Sequence, residues 1–153
     1  YEIGKKLIDN GFVDTLQLYF SMIDYKPTIE LLAHAKKNNV GIIIASPLGQ
    51  GFLAGKYKED HKFEKNDIRH ITYSKKIIKE RIKKANQFKF LTNKNRSIAQ
   101  IGIAYVLSKK EVSLCIPGSS SPKHVISNAS ASKIKLTNDE LKHIKEIQDK
   151  WDN

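Results

Sequence analysis

Two short stretches hold most of the groups able to do chemistry. The first, SPLGQGFLAGK at residues 46–56, follows the apolar run VGIIIA and supplies Gly49, Gly51, Gly55, the Ser46 hydroxyl and Lys56. Glycines let backbone N–H groups approach an anion with no Cβ in the way, and Ser46 adds a hydroxyl donor. The second, IPGSSSPKH at residues 116–124, contains Ser121 and Pro122, a cap followed by a first-turn proline. Free N–H groups and the positive dipole end of the helix that follows attract phosphate. Two donor-rich loops after consecutive strands suit one extended nucleotide. Tight turning is the plain structural alternative for the glycines. Neither G-x-x-x-x-G-K-[ST] nor G-x-G-x-x-G occurs, which disfavours P-loop and Rossmann sites.

The elements that must position these loops alternate. A helix is expected over residues 2–10, with Ile3, Leu7 and Ile8 on one side and Gly11 as its stop. Residues 13–20 read as a strand placing Gln17 on the face opposite Leu16 and Leu18. Pro27 opens a helix to Asn38 whose apolar side is Ile29, Leu32, Ala33 and Ala35. The run at 40–45 has the pattern of a strand covered on both faces, as in a parallel sheet. Residues 57–72 carry no assignable pattern. Ser74 caps a helix running to about residue 91, with Ile77, Ile78, Ile82, Ala85 and Phe88 at helical spacing. Ser97 caps residues 98–108, residues 112–116 form a short buried strand, and a helix covers 122–131. Thr137 and Glu140 form a capping box opening a last helix through Trp151. This order means βαβ units and a parallel sheet.

Composition narrows the partners. The chain has 153 residues, 40% of them apolar, which fits a globular core. No apolar run reaches the roughly 18 residues needed to span a bilayer, and the first residues lack the apolar stretch of a secretion signal, so a cytoplasmic protein is expected. Formal charge is +11. The excess is lysine spread along the chain, with only Arg69, Arg81 and Arg96 as arginines, whereas nucleic-acid readout favours clustered arginines with interleaved aromatics. Solvated lysine faces are expected, with no nucleic-acid or membrane partner. Cys115 lies in an apolar run and reads as a buried, inert thiol rather than a nucleophile or metal ligand.

The segments VDTLQLYF, GIIIASPLGQGFLAGKY, SIAQIGIAYVLS and SLCIPGSSSPKHVISNASA resemble, in the same order, the C-terminal half of the aldo/keto reductase family. That family is a (β/α)8 TIM barrel binding NAD(P)H in an extended conformation without a Rossmann motif. The resemblance implies an α/β fold whose three strands are the sixth to eighth of the barrel. Residues 1–153 would be the C-terminal portion of one barrel domain whose N-terminal half is absent, since a full barrel takes about 250 residues. It also implies that Gln17 hydrogen-bonds the nicotinamide carboxamide and that Ser46, Leu48, Gly49, Gln50 and Gly51 wrap the pyrophosphate. Ser119 and Asn128 would lie near the adenosine phosphate and the adenine amino edge. His124 is the one basic group left where NADPH-preferring members often carry several, so NADP and NAD both stay open. Ala45 stands where many members stack an aromatic residue on nicotinamide, and Ser127 where a glutamate often meets adenine. The family's Asp, Tyr, Lys and His tetrad falls upstream of Tyr1, so no catalytic residue is assigned here, and no metal ligand.

The implied activity is hydride transfer between NAD(P)H and a small carbonyl or sugar-like alcohol, with these residues as the cofactor-binding half, and the chain alone, lacking the tetrad, is expected to be inactive. A non-catalytic nucleotide-binding or partner-binding half-barrel is the alternative. A polyanion-binding ridge on the lysine-rich helix is a third.

Overall fold

The computed structural model describes residues 1–151. Three parallel strands form the sheet in the order β1 (Thr15–Tyr19), β2 (Gly41–Ala45) and β3 (Leu114–Ile116). Helix α1 (Glu2–Asp9) precedes β1, and α2 (Lys26–Lys37) joins β1 to β2. Between β2 and β3 come α3 (Ile68–Thr72), α4 (Lys75–Asn86) and α5 (Ile98–Leu107); α6 (Pro122–Ser130) and α7 (Asn138–Asp149) follow β3. The alternation read from the sequence is therefore present, as an α/β arrangement with a parallel sheet.

Strand register places the core. Gln17 pairs with Ile43, Tyr19 with Ala45, and Ala45 with Ile116, so these side chains share one sheet face. The opposite face, carrying Leu16, Leu18, Ile42, Ile44 and Cys115, packs with Leu31, Leu32, Ile101 and Tyr105 in one cluster. The run at 40–45 is thus covered by helices on one side only. Ile42 and Ile44 are fully buried, while Tyr19 is 66% and Ile116 47% exposed on the other face. Among the described residues, no helix is long and apolar enough to cross a membrane.

Several boundaries differ from the sequence pattern for local reasons. Phe20 leaves the sheet to stack on Tyr105, which ends β1 at Tyr19. The helix expected to reach residue 91 stops at Asn86, and a 3-10 turn, Lys89–Leu91, follows. That tighter turn aligns positions three apart, so Phe88 and Leu91 both insert into the core. In β3 the Ser113 hydroxyl accepts the Ile42 N–H, and only Leu114–Ile116 remain in the ladder. Ile3, Ile29 and Ile77 lie outside the core, and Leu31 takes the buried place in α2. The unassigned stretch contains α3, capped by the Asp67 side chain. Both capping pairs form in full, Ser97 with Gln100 and Thr137 with Glu140.

Candidate functional site: a cleft at the carboxyl ends of the strands

β2 and β3 both run out into a cleft of about 710 Å³. Ser46, Leu48, Gln50 and Gly51 line it from the loop after β2. Ser119, His124 and Asn128 line it from the loop after β3 and from α6. Seven of the residues singled out by sequence are thus brought together from two loops far apart in the chain.

The loop after β2 is wound through the left-handed region at Ser46 (φ 55°), Gly49 (56°), Gln50 (55°) and Gly51 (93°). Ser46 and Gln50 carry side chains there, each at about 1–3 kcal/mol, a kind of strain that clusters at ligand sites. Its glycine N–H groups are spent internally: Gly49 donates to the Ser46 carbonyl at 2.9 Å and Gly51 to Leu48 at 3.1 Å. Among the described residues, the N–H groups of Leu48 and Gln50 make no hydrogen bond, which leaves them as backbone donors.

The two glycines do different work. A Cβ on Gly51 would sit 3.2 Å from the Arg69 Nη1 and the Tyr57 hydroxyl, both on the cleft wall. On Gly49 it would sit 2.7 Å from Ile23 Cδ1, so this buried glycine packs against the protein interior and does not line the cleft. Close approach of loop to core, rather than of ligand to loop, explains it. Gln17 also stays off the cleft wall, exposed on the open face of β1 two residues before Tyr19. A smaller cleft of about 170 Å³, lined in part by Tyr19, Ser46 and Gln50, adjoins the larger one through the last two.

Lys56, Tyr57 and Arg69 close another wall, and the amino-terminal turn of α5 contributes Ser97 and Ala99. Arg69 donates from Nη1 to the Gln50 carbonyl (2.9 Å) and to the Tyr57 hydroxyl (2.8 Å), and from Nη2 to Asp67 (2.5 Å). Hydrogen bonds from Arg69 hold the Asp67 carboxyl down at about 2, and the Asp67 partner pushes the Arg69 guanidinium up. Lys56 lies 5.2 Å over the Tyr57 ring. Asp67 balances the charge of Arg69, so among the described residues of this wall Lys56 supplies the positive charge that attracts anions. Lys56 stood inside the glycine-rich run itself, whereas Arg69 sat in a stretch without periodicity; its one local signal was the carboxylate two residues away.

The wall from α6 is hydroxyl-rich. Asn128 donates to the Ser119 Oγ at 2.9 Å, and Ser120 Oγ lies 3.3 Å from His124 Nδ1. Gln100 of α5 donates to the Ser130 Oγ at 2.8 Å, fixing α6 beside α5. Cys115 points to the helix side, and burial pushes its thiol up, away from reactivity.

A parallel β/α unit with its ligand cleft at the carboxyl ends of the strands is the arrangement of barrel-type α/β proteins. Residues 6–149 match the model of the aldo/keto reductase family, and the chain belongs to that family. It is 31% identical over 133 residues to an aldo-keto reductase from Schizosaccharomyces pombe named for NADP(+), covering 85% of this chain and 39% of the relative. An aldo-keto reductase from Strobilurus tenacellus is likewise 31% identical, over 88% of this chain and 42% of its own length. The NADH-specific methylglyoxal reductase of Escherichia coli is 22% identical over 94% of this chain and 44% of its own. Among solved structures, a glycerol dehydrogenase from Gluconobacter oxydans superposes with a TM-score of 0.75 at 24% identity, covering 87% of this chain and 41% of that one; this likeness concerns the fold. The chain spans about two fifths of the length of these relatives.

Proposed function

We propose that this chain is the cofactor-binding, C-terminal half of a (β/α)8 aldo/keto reductase barrel, its strands being the sixth to eighth. The intact protein would be an oxidoreductase moving hydride between NAD(P)H and a small carbonyl or sugar-like alcohol. The observation that carries this reading is the cleft, where the strained 46–51 loop, the α6 amino terminus and two cationic side chains converge. Its volume falls within the roughly 300–1,000 Å³ usual for small-molecule sites. The donor set suits a dinucleotide: the unbonded N–H groups of Leu48 and Gln50 and the Ser46 hydroxyl for pyrophosphate, with Lys56 for its charge and Arg69, paired with Asp67, holding the Gln50 carbonyl. Ser119, His124 and Asn128 would meet the adenosine end, and Gln17 on the open sheet face the nicotinamide carboxamide. Gly49 serves by shaping the loop. The nicotinamide, when bound, supplies the hydride; the residues of this chain bind and orient it. The acid that protonates the carbonyl would come from the N-terminal half of the barrel, whose strands would also cover the open face. Relatives are named for NADP(+) and for NADH, so the reading takes in both nucleotides.

The test is titration of the intact protein with NADH and NADPH by fluorescence or calorimetry, for wild type, Ser46→Ala and Gln17→Ala. Loss of one hydrogen bond to a charged group, about 1.5–3 kcal/mol, should weaken Ser46→Ala roughly tenfold to a hundredfold. If wild type binds neither nucleotide, or all three proteins bind both equally, the reading fails.

A further inference from the structure

We infer that Arg81 is a positioning residue for the cofactor loop, acting through a bidentate ion pair with Asp24 that ties the loop after β1, the loop after β2 and α4 together. The inference rests on the nucleotide reading of the cleft, but its geometry stands by itself. Arg81 Nη1 donates to Asp24 Oδ1 at 2.7 Å and Nη2 to Asp24 Oδ2 at 2.5 Å. The same Nη2 lies 3.4 Å from the Gly49 carbonyl, and the guanidinium sits 5.0 Å from the Phe52 ring centroid and 5.1 Å from that of Tyr73. Only 16% of the Arg81 side chain is exposed, although it belongs to a helix full of solvated lysines.

Asp24 is fixed from its other side. The hydroxyl of Ser21, a fully buried residue, accepts the Asp24 N–H at 3.0 Å and donates to Asp24 Oδ2 at 3.2 Å. Next to Asp24, Ile23 fills the space that a side chain at 49 would need. The loop after β1 is therefore a rigid seat, and Arg81 presses the loop after β2 onto it at Gly49. This matters because Gly49 and Gln50 are consecutive left-handed residues. The turn bonds from Gly49 to Ser46 and from Gly51 to Leu48 tie the loop only to itself. Arg81 does not line the large cleft; it touches the smaller one and reaches the ligand loop through Gly49. A planar fork is required, because two parallel N–H donors must meet one carboxylate while one of them also faces a carbonyl.

The experiment measures amide hydrogen exchange at Gly49 and Gly51, together with NADH and NADPH titration, on the intact protein and on Arg81→Met, Arg81→Lys, Asp24→Asn and the Arg81→Met/Asp24→Asn double variant. Arg81→Met is expected to speed exchange at both amides and to weaken nucleotide binding about tenfold, with far-UV circular dichroism unchanged. Arg81→Lys, which keeps the charge and loses the fork, should fall between it and wild type. The double variant should be no weaker than the weaker single one, the mark of two residues acting as a unit. Added guanidinium ion should restore affinity to Arg81→Met and not to wild type. Unchanged exchange and affinity in Arg81→Met overturn the inference, and so does unfolding of even Arg81→Lys, which would make the pair a fold requirement. Should wild type bind neither nucleotide, the functional reading fails, while exchange at Gly49 and Gly51 still decides the clamp.

Discussion

Gly49 offers a direct measure of how closely the loop after β2 is pressed onto the core. Alanine there meets two separate obstacles. Its φ of 56° places a Cβ in the left-handed region, at about 1–2 kcal/mol. That Cβ would also lie 2.7 Å from Ile23 Cδ1 and 2.8 Å from Cγ1, an overpacking that costs typically 1–3 kcal/mol. Replacing glycine restricts the unfolded chain and returns about 0.4–1 kcal/mol. The expected net loss for Gly49→Ala is about 2–4 kcal/mol. Two other glycines separate the contributions. At Gly11, φ is 65° and a Cβ meets nothing within 4 Å, so Gly11→Ala should lose about 1 kcal/mol, strain alone. Gly118 has neither left-handed φ nor a neighbour within 4 Å, and its alanine variant should be neutral or slightly more stable. Urea unfolding of the intact protein gives all three values. Adding Ile23→Ala to Gly49→Ala should recover the overpacking part, making the double variant more stable than the sum of the singles allows. A Gly49→Ala protein as stable as the Gly118→Ala one, or strict additivity with Ile23→Ala, refutes the close packing deduced here.

Asp67 gives a pH prediction. Its folded-state value of about 2 lies below the ordinary 3.8, so its pairing with Arg69 contributes full stability above pH 4 and loses it as pH falls towards 2. Carbon-13 NMR should place the Asp67 carboxyl midpoint near 2, and Arg69→Met should return it to the ordinary range; a midpoint near 3.8 in wild type refutes the pairing. The exposed lysines of α4 should be bystanders: neutralising Lys75, Lys79 and Lys83 should leave nucleotide affinity within about twofold and abolish only weak, salt-sensitive polyanion binding. Retained structure-selective RNA or DNA binding by wild type at physiological salt contradicts that view.

Much of the local architecture was legible because its causes lie within a few residues. Ser97 with Gln100 and Thr137 with Glu140 satisfy amide groups three positions away, so the pattern in the chain is already the bond in the structure. The apolar run of β2, Pro122 opening α6 and the glycine-rich loop after β2 follow the same logic. Where the pattern misled, packing had intervened: Phe88 and Leu91 both found core space and tightened the end of a helix that spacing alone would have continued.

The cleft divides along the same line. Residue types along the chain determined that two donor-rich loops would end parallel strands and that Ser46 and its neighbouring glycines could meet an anionic ligand; the resemblance to the family added Gln50, Ser119 and Asn128. Only the tertiary structure decided which groups stand beside them. Asp24 and Arg81 are 57 positions apart, and nothing near either one reveals that a carboxylate in one loop and a cation among lysines will share two hydrogen bonds. Arg69 reached the cleft because α3 lies over the loop after β2, and Gly49 turned inward because Ile23 occupies the space beside it. The physical reason is that capping and turn energies are set by neighbours in the chain, whereas an ion pair or a steric limit between loops depends on which surfaces the packed sheet brings together.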